Sequence, residues 1–184
     1  KSKTPRNLAL MLIFVSQFNS AYVFADELTS ISVRARFAEK TLLGAKAPEK
    51  FKAYDVAANI ANSWIDTRIL DWRIGSNVMA SAGILRGDKQ NAFAISIVPE
   101  LLIESPEKRF VADLGIGLAA FSRHRFGVQD FGGPFQFALT VGFQTPVYKQ
   151  LHLGYRFQHY SDAGLNGPDT TGADLHMIEF IYRY

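Results

Sequence analysis

The 184-residue chain has no cysteine, and only 20% of its residues are charged. Neither a disulfide framework nor a cysteine-ligated zinc ribbon can be built from it. The low charge, with 48% hydrophobic residues, also excludes an intrinsically disordered chain. Basic runs are missing too. The net charge of +3 comes from Lys1, Lys3 and Arg6 in the first 25 residues, which carry no acid; beyond them basic and acidic residues balance at 17 each. A neutral body without a basic stripe argues against nucleic acid as a partner. From residue 26 onward no stretch holds the roughly 20 apolar residues that a membrane-spanning helix requires.

What is present begins with a leader. Lys1, Lys3 and Arg6 precede the apolar run from Leu8 to Val15, and Val23-Phe24-Ala25 offers small residues where a signal peptidase reads. Residues 1–25 are expected to be a cleavable secretory signal, with the mature chain starting at Asp26. A secreted chain without cysteine fits a bacterial envelope.

The remaining residues, 26–184, are expected to form one domain whose signature is period two. Phe135, Phe137, Leu139, Val141 and Phe143 alternate with Gln136, Ala138, Thr140, Gly142 and Gln144. Leu151, Leu153, Tyr155 and Phe157 alternate with His152, Gly154, Arg156 and Gln158, and Ile178, Phe180, Tyr182 and Tyr184 with Met177, Glu179, Ile181 and Arg183. Less regular versions at about 30–40, 51–61, 69–83, 91–103 and 110–121 bring the expected total to eight strands. Strands this long suit an outer-membrane barrel, where ~9–11 tilted residues cross the hydrocarbon. The polar faces hold Arg73, Glu100, Asp113, Arg156, Glu179 and Arg183, which are costly against lipid but can pair in a lumen. The expected fold is all-β: an eight-stranded antiparallel transmembrane β-barrel with a filled interior. Short periplasmic turns are expected at 62–68, 104–109 and 145–149, and outward loops at 41–50, 84–90, 122–132 and 162–173. A soluble lipocalin-like barrel is the alternative, but it reverses the two faces.

Polar residues on the lipid-facing parity are the informative exceptions. The outward set of the seventh strand continues from Phe157 to His159 and Ser161, and that of the eighth runs back from Ile178 to His176 and Asp174. Antiparallel pairing of these strands brings an acid, an imidazole and a hydroxyl together at the outer rim, the components of an activated serine nucleophile. On spacing alone, ordinary interfacial polar residues explain the pattern equally. His176 reads more simply as such a residue than as a neighbour of the triad.

The segment from Gly154 to Leu165, which contains His159-Tyr160-Ser161-Asp162-Ala163-Gly164, resembles the PagL-type lipid A 3-O-deacylases, whose hallmark is a His-x-Ser-Asn-Ala-Gly run. Gly115-Ile116-Gly117-Leu118 and Phe135-Gln136-Phe137 are similar as well. The resemblance implies an eight-stranded outer-membrane barrel with a Ser-His-acid triad on its outer surface. The implied function is hydrolysis of an ester-linked acyl chain of lipid A, which modifies lipopolysaccharide. Ser161 is then the nucleophile, His159 the base, and Asp174 the acid by its distance from Tyr184, with Asp169 the alternative. Asp162, Ala163 and Gly164 are the implied oxyanion neighbourhood. Asp162 stands where the family has Asn, and Asp162→Asn is expected to raise activity if the carboxylate opposes the oxyanion. Asp174 stands where the family has the longer Glu, and Asp174→Glu is expected to preserve or improve the site.

Arg123, His124 and Arg125, in the third outward loop, are candidates for lipid headgroup phosphates. No zinc spacing joins the four histidines, so neither a metal nor a cofactor is expected. The expected partners are lipid A or lipopolysaccharide of the outer leaflet and the outer membrane itself, with room for a homodimer. The competing function is a structural or adhesive barrel without catalysis.

Overall fold

The computed structural model describes residues 28–44 and 47–184, and the expected signal at 1–25 lies outside the described residues. Alternation of apolar and polar side chains produces strands because a pleated backbone sends successive side chains to opposite faces. The strands are β1 (Leu28–Ala38), β2 (Lys52–Ile69), β3 (Trp72–Gly87), β4 (Gln90–Glu104), β5 (Val111–Phe121), β6 (Arg125–Phe126), β7 (Gln129–Asp130), β8 (Phe135–Tyr148), β9 (Leu151–Ser161) and β10 (Ala173–Arg183). Eight of them close a barrel in the order β1-β10-β9-β8-β5-β4-β3-β2, while β6 and β7 form a small hairpin in the loop between β5 and β8. All neighbours in the barrel are antiparallel.

The exterior is apolar along the wall: Val33, Val56, Ile97, Ile116, Leu118, Phe143 and Phe180 are all more than half exposed. Apolar surface on this scale is the chemistry of a lipid-facing wall. Inside, Arg156 is buried and its guanidinium donates to Glu179 at 2.7 Å, Asp113 at 2.8 Å, Glu100 at 2.9 Å and the Thr140 hydroxyl at 2.8 Å. Arg34, with no exposed surface, pairs with Asp55 and lies 3.6 Å from Glu179. Arg183 pairs with Glu104 at 3.1 Å nearer the turn end. The expected packed lumen is thus present, with the Arg34–Asp55 pair in addition. Arg73 is an exception: it pairs with Asp66 at a partly exposed edge.

Three expected connections need correction. Residues 62–68 are not a turn but part of β2, which carries a bulge between Asn62 and Asp66; the chain reverses at Leu70 and Asp71, both with left-handed φ. The outward loop at 84–90 shrinks to the two-residue turn Asp88-Lys89, φ 43° and 58°. Positive φ at both positions matches the twist of a tight hairpin, and Asp tolerates it better than most residues. β8 runs through most of the expected 145–149 turn, which moves to Lys149 and Gln150. Trp72 packs against Phe110 with ring centroids 5.4 Å apart, as an interfacial belt requires, whereas Trp64 sits in the β2 bulge.

At the loop end, Phe51, Phe121, Phe126, Phe131 and Tyr160 plug the mouth through edge-to-face and tilted ring contacts of 5.0–6.1 Å. Phe126 and Phe131 belong to the β5–β8 loop, which is tied to the β9–β10 loop by the Thr171 amide on the Asp130 carbonyl at 2.9 Å.

Candidate active site

β9 and β10 pair in the register Asp174↔His159, so the predicted acid and base lie directly opposite each other on the outer wall. His159 Nδ1 and Asp174 Oδ1 are 2.6 Å apart. A carboxylate only accepts, so Nδ1 carries the proton and Nε2 keeps its lone pair. Ser161 follows two residues along the same face, and among the described residues its hydroxyl makes no hydrogen bond. Asp169, the alternative acid, is exposed in the loop and has no partner among the described residues.

Asp174 is only 6% exposed although it belongs to the outer face. It is covered by the β1–β2 loop, whose Leu42 and Leu43 amides both donate to Asp174 Oδ2, the latter at 2.9 Å. His176 is buried to the same extent, its Nε2 2.7 Å from the Lys40 carbonyl and its Nδ1 2.7 Å from the Tyr155 hydroxyl. It is therefore a neighbour of the acid rather than a simple interfacial residue. The contacts made by residues 40–43 had no signal in the sequence, because main-chain amides carry none.

Asp162 turns away from the role expected of it. Its carboxylate accepts from the Gly164 and Asn166 amides at 2.9 and 3.0 Å, from the Asn166 side chain at 3.1 Å and from the Thr170 hydroxyl at 3.0 Å. Burial pushes this carboxyl up, but the hydrogen bonds together hold it below the ordinary carboxylate range. It is the knot of the β9–β10 loop, and in Asp162→Asn an amide nitrogen would face the two donors that one of its oxygens now accepts, which argues against the expected gain. The Leu165 amide is bonded to the Asp162 carbonyl and the Gly164 amide to the Asp162 side chain. Ala163, left-handed at φ 53°, keeps a free N–H among the described residues.

Gly172 closes the loop against the site. A Cβ there would lie 2.5 Å from the Tyr160 carbonyl oxygen, 3.0 Å from His159 Cε1 and 3.2 Å from Ser161 Cβ. Gln129, fully buried in β7, donates to the carbonyls of Thr171 at 2.6 Å and Gly172 at 3.3 Å, which pins this stretch from behind. Of the headgroup candidates, His124 and Arg125 converge on Asp130 at 3.2 and 2.7 Å, leaving Arg123 exposed and without an ion pair among the described residues. Burial pushes Asp130 up, but hydrogen bonds from the Gly132 amide, His124 and Arg125, together with the Arg125 charge, hold its carboxyl below the usual value. Among the described residues no three His, Asp or Glu side chains gather as metal ligands.

Below His159 an apolar groove of about 440 Å³ runs down the outer wall, lined by Phe37, Tyr155, Ile178, Phe143 and Leu153 and reaching Phe110 at the turn end. Tyr155 lies four residues from His159 on the same face of β9, about 13 Å along a strand.

The model of the lipid A 3-O-deacylase (PagL) family matches residues 52–183. The chain belongs to that family. Within it, the lipid A deacylase PagL of Bordetella bronchiseptica is 30% identical over 77 residues, 42% of this chain and 43% of that protein, so the alignment spans less than half the relative's length. Among solved structures, the outer membrane enzyme PagL superposes with a TM-score of 0.66 at 19% identity, over 84% of this chain and 99% of the other. The Yersinia pestis outer membrane protein Ail, in a phospholipid bilayer nanodisc, gives 0.51 at 14% identity, over 85% and 99%. Both likenesses establish the fold; membership of the PagL family rests on the match over residues 52–183.

Proposed function

We propose that this PagL-family barrel is an outer-membrane esterase that removes an ester-linked acyl chain from lipid A. The observation that carries the reading is the 2.6 Å His159–Asp174 hydrogen bond, made on the lipid-facing wall beside Ser161. Buried polar pairs that serve only stability belong in the lumen of such a barrel, whereas this one lies on the outer face beneath the β1–β2 loop.

Ser161 Oγ attacks the ester carbonyl while His159 Nε2 takes its proton, and Asp174 stabilises the imidazolium that forms. The tetrahedral intermediate collapses as His159 returns the proton to the departing alkoxide, which leaves the acyl group on Ser161. Water, deprotonated by His159, then attacks the acyl carbon, and His159 returns the proton to Ser161 Oγ as its bond to the acyl group breaks and the fatty acid leaves. The free N–H of Ala163 is the donor for the developing oxyanion. The groove below the site offers an apolar wall for the acyl chain, and Arg123 a charge for a headgroup phosphate.

Mass spectrometry of lipid A from cells expressing the protein or its Ser161→Ala variant tests this. The expected result is loss of the mass of one ester-linked acyl chain with the wild type and none with the variant. Unchanged lipid A in both would favour a structural or adhesive barrel.

A further inference from the structure

A carboxylate on the outer wall of a membrane barrel is costly unless its lone pairs are filled. Asp174 fills them from three directions: His159 on Oδ1 and the Leu42 and Leu43 amides on Oδ2. Two donors on one oxygen fix the rotation of the carboxylate plane and leave the other oxygen for the imidazole. Residues 41–44 have no strand partners of their own, so something else must hold the two amides in place.

That anchor is His176. Its Nε2 meets the Lys40 carbonyl, which only accepts, so Nε2 carries the proton and Nδ1 receives the Tyr155 hydroxyl. The two outward histidines of the site are thus opposite tautomers, each set by its partner: Nδ1–H in His159 and Nε2–H in His176. Ring contacts of His176 with Phe157 at 5.3 Å and Tyr155 at 6.1 Å, and of Phe37 with Tyr155 at 6.2 Å, lock the imidazole laterally. Anchor and acid sit two residues apart on one strand, so the loop is tied to the strand whose carboxylate it grips. Leu42 and Leu43 meanwhile keep their side chains largely exposed, 52% and 38%, as suits a cover that meets lipid.

We propose that residues 40–43 are a main-chain clamp on the acid of the site, and that His176 and Tyr155 are positioning residues that hold the clamp shut for ester hydrolysis. The proposal rests on the reading of Asp174 as the triad acid. The clamp accounts for how a carboxylate one methylene shorter than the family's Glu is held against its histidine.

The test measures fatty acid release from lipid A in mixed micelles, with heat-modifiable migration checking that each barrel has assembled. His176→Ala should lower kcat on the order of tenfold, the size of coupling between contacting residues, with KM little changed. Tyr155→Phe should lower it less, and His176→Gln, which keeps a donor for the Lys40 carbonyl, should recover most of the rate. In an Asp174→Ala background His176→Ala should cost nothing more. Amide hydrogen exchange at Leu42 and Leu43 should rise as far in His176→Ala as in Asp174→Ala. Equal cost of His176→Ala in both backgrounds, an unchanged kcat, or exchange that stays slow would overturn the clamp. Undiminished release by Ser161→Ala would overturn the serine mechanism instead, whatever His176 does.

Discussion

Two polar clusters in this molecule use similar side chains under opposite rules. In the lumen, the Arg156 guanidinium is shared among Glu100, Asp113, Glu179 and Thr140. On the outer wall, the carboxylate of Asp174 is equally saturated, yet the chain of contacts ends at His159, whose Nε2, like the neighbouring Ser161 hydroxyl, has no hydrogen-bond partner among the described residues. A network that serves stability closes on itself, because a buried group left unpaired costs free energy. A network that serves chemistry keeps one valence open for a substrate. Position alone therefore does not separate the two; the unfilled end does.

Removing the open end should have the largest effect. Ser161→Ala and His159→Ala are each expected to lower ester hydrolysis by about 10⁴-fold or more. Barrel stability should stay at the wild-type level in Ser161→Ala, whose hydroxyl closes no network, and fall modestly in His159→Ala, which leaves Asp174 Oδ1 without its donor. Stability is read by the midpoint of urea unfolding in micelles. The lumen should behave in reverse: Arg156→Leu strands three carboxylates and should cost about 3–5 kcal/mol of stability, seen as loss of heat-modifiable barrel. If Ser161→Ala destabilised the barrel as much as Arg156→Leu, the distinction between the clusters would fail.

Smaller changes sharpen the contrast within the site. Gly172→Ala forces a methyl against the Tyr160 carbonyl and the His159 ring, and should reduce kcat roughly 10- to 100-fold, the range reported for supporting residues around a site. Asp174→Glu should now lower activity instead of improving it, since the longer carboxylate displaces the Leu42 and Leu43 amides; a faster Asp174→Glu enzyme would show that the loop yields. The mildest effect concerns pH. The Asp162 carboxyl is held below its unfolded value of about 3.9, so its contribution to the β9–β10 loop is complete above that pH and fades only as pH falls through the lower folded value. Limited proteolysis of residues 162–172 should be constant from about pH 5 to 8, and Asp162→Asn should raise cleavage across that window.

The period-two pattern made the barrel and the outward set His159, Ser161, Asp174 readable, because parity along a strand fixes which face a residue occupies. Parity works best where strands alternate cleanly, as in β8, β9 and β10. It failed at β2, where the bulge between Asn62 and Asp66 resets the face and where a polar stretch imitated a turn. The Asp88-Lys89 hairpin was hidden because its turn carries Lys where Gly is the usual signal. The covering loop was illegible for a different reason: its contacts to Asp174 and His176 run through peptide groups, which every residue has. The loop-holding role of Asp162 was illegible because its type was read without the four donors the loop brings to it.

The apolar groove that begins at Tyr155, down the strand from His159, opens sideways along the outer wall. If the site hydrolyses lipid A, its encounters happen in two dimensions, and the governing quantity is the mole fraction of substrate in the surface around the barrel. Diluting that surface with inert lipid, at constant total lipid A, should slow the enzyme in proportion. Adding buffer at constant surface composition should leave the turnover per barrel as it was.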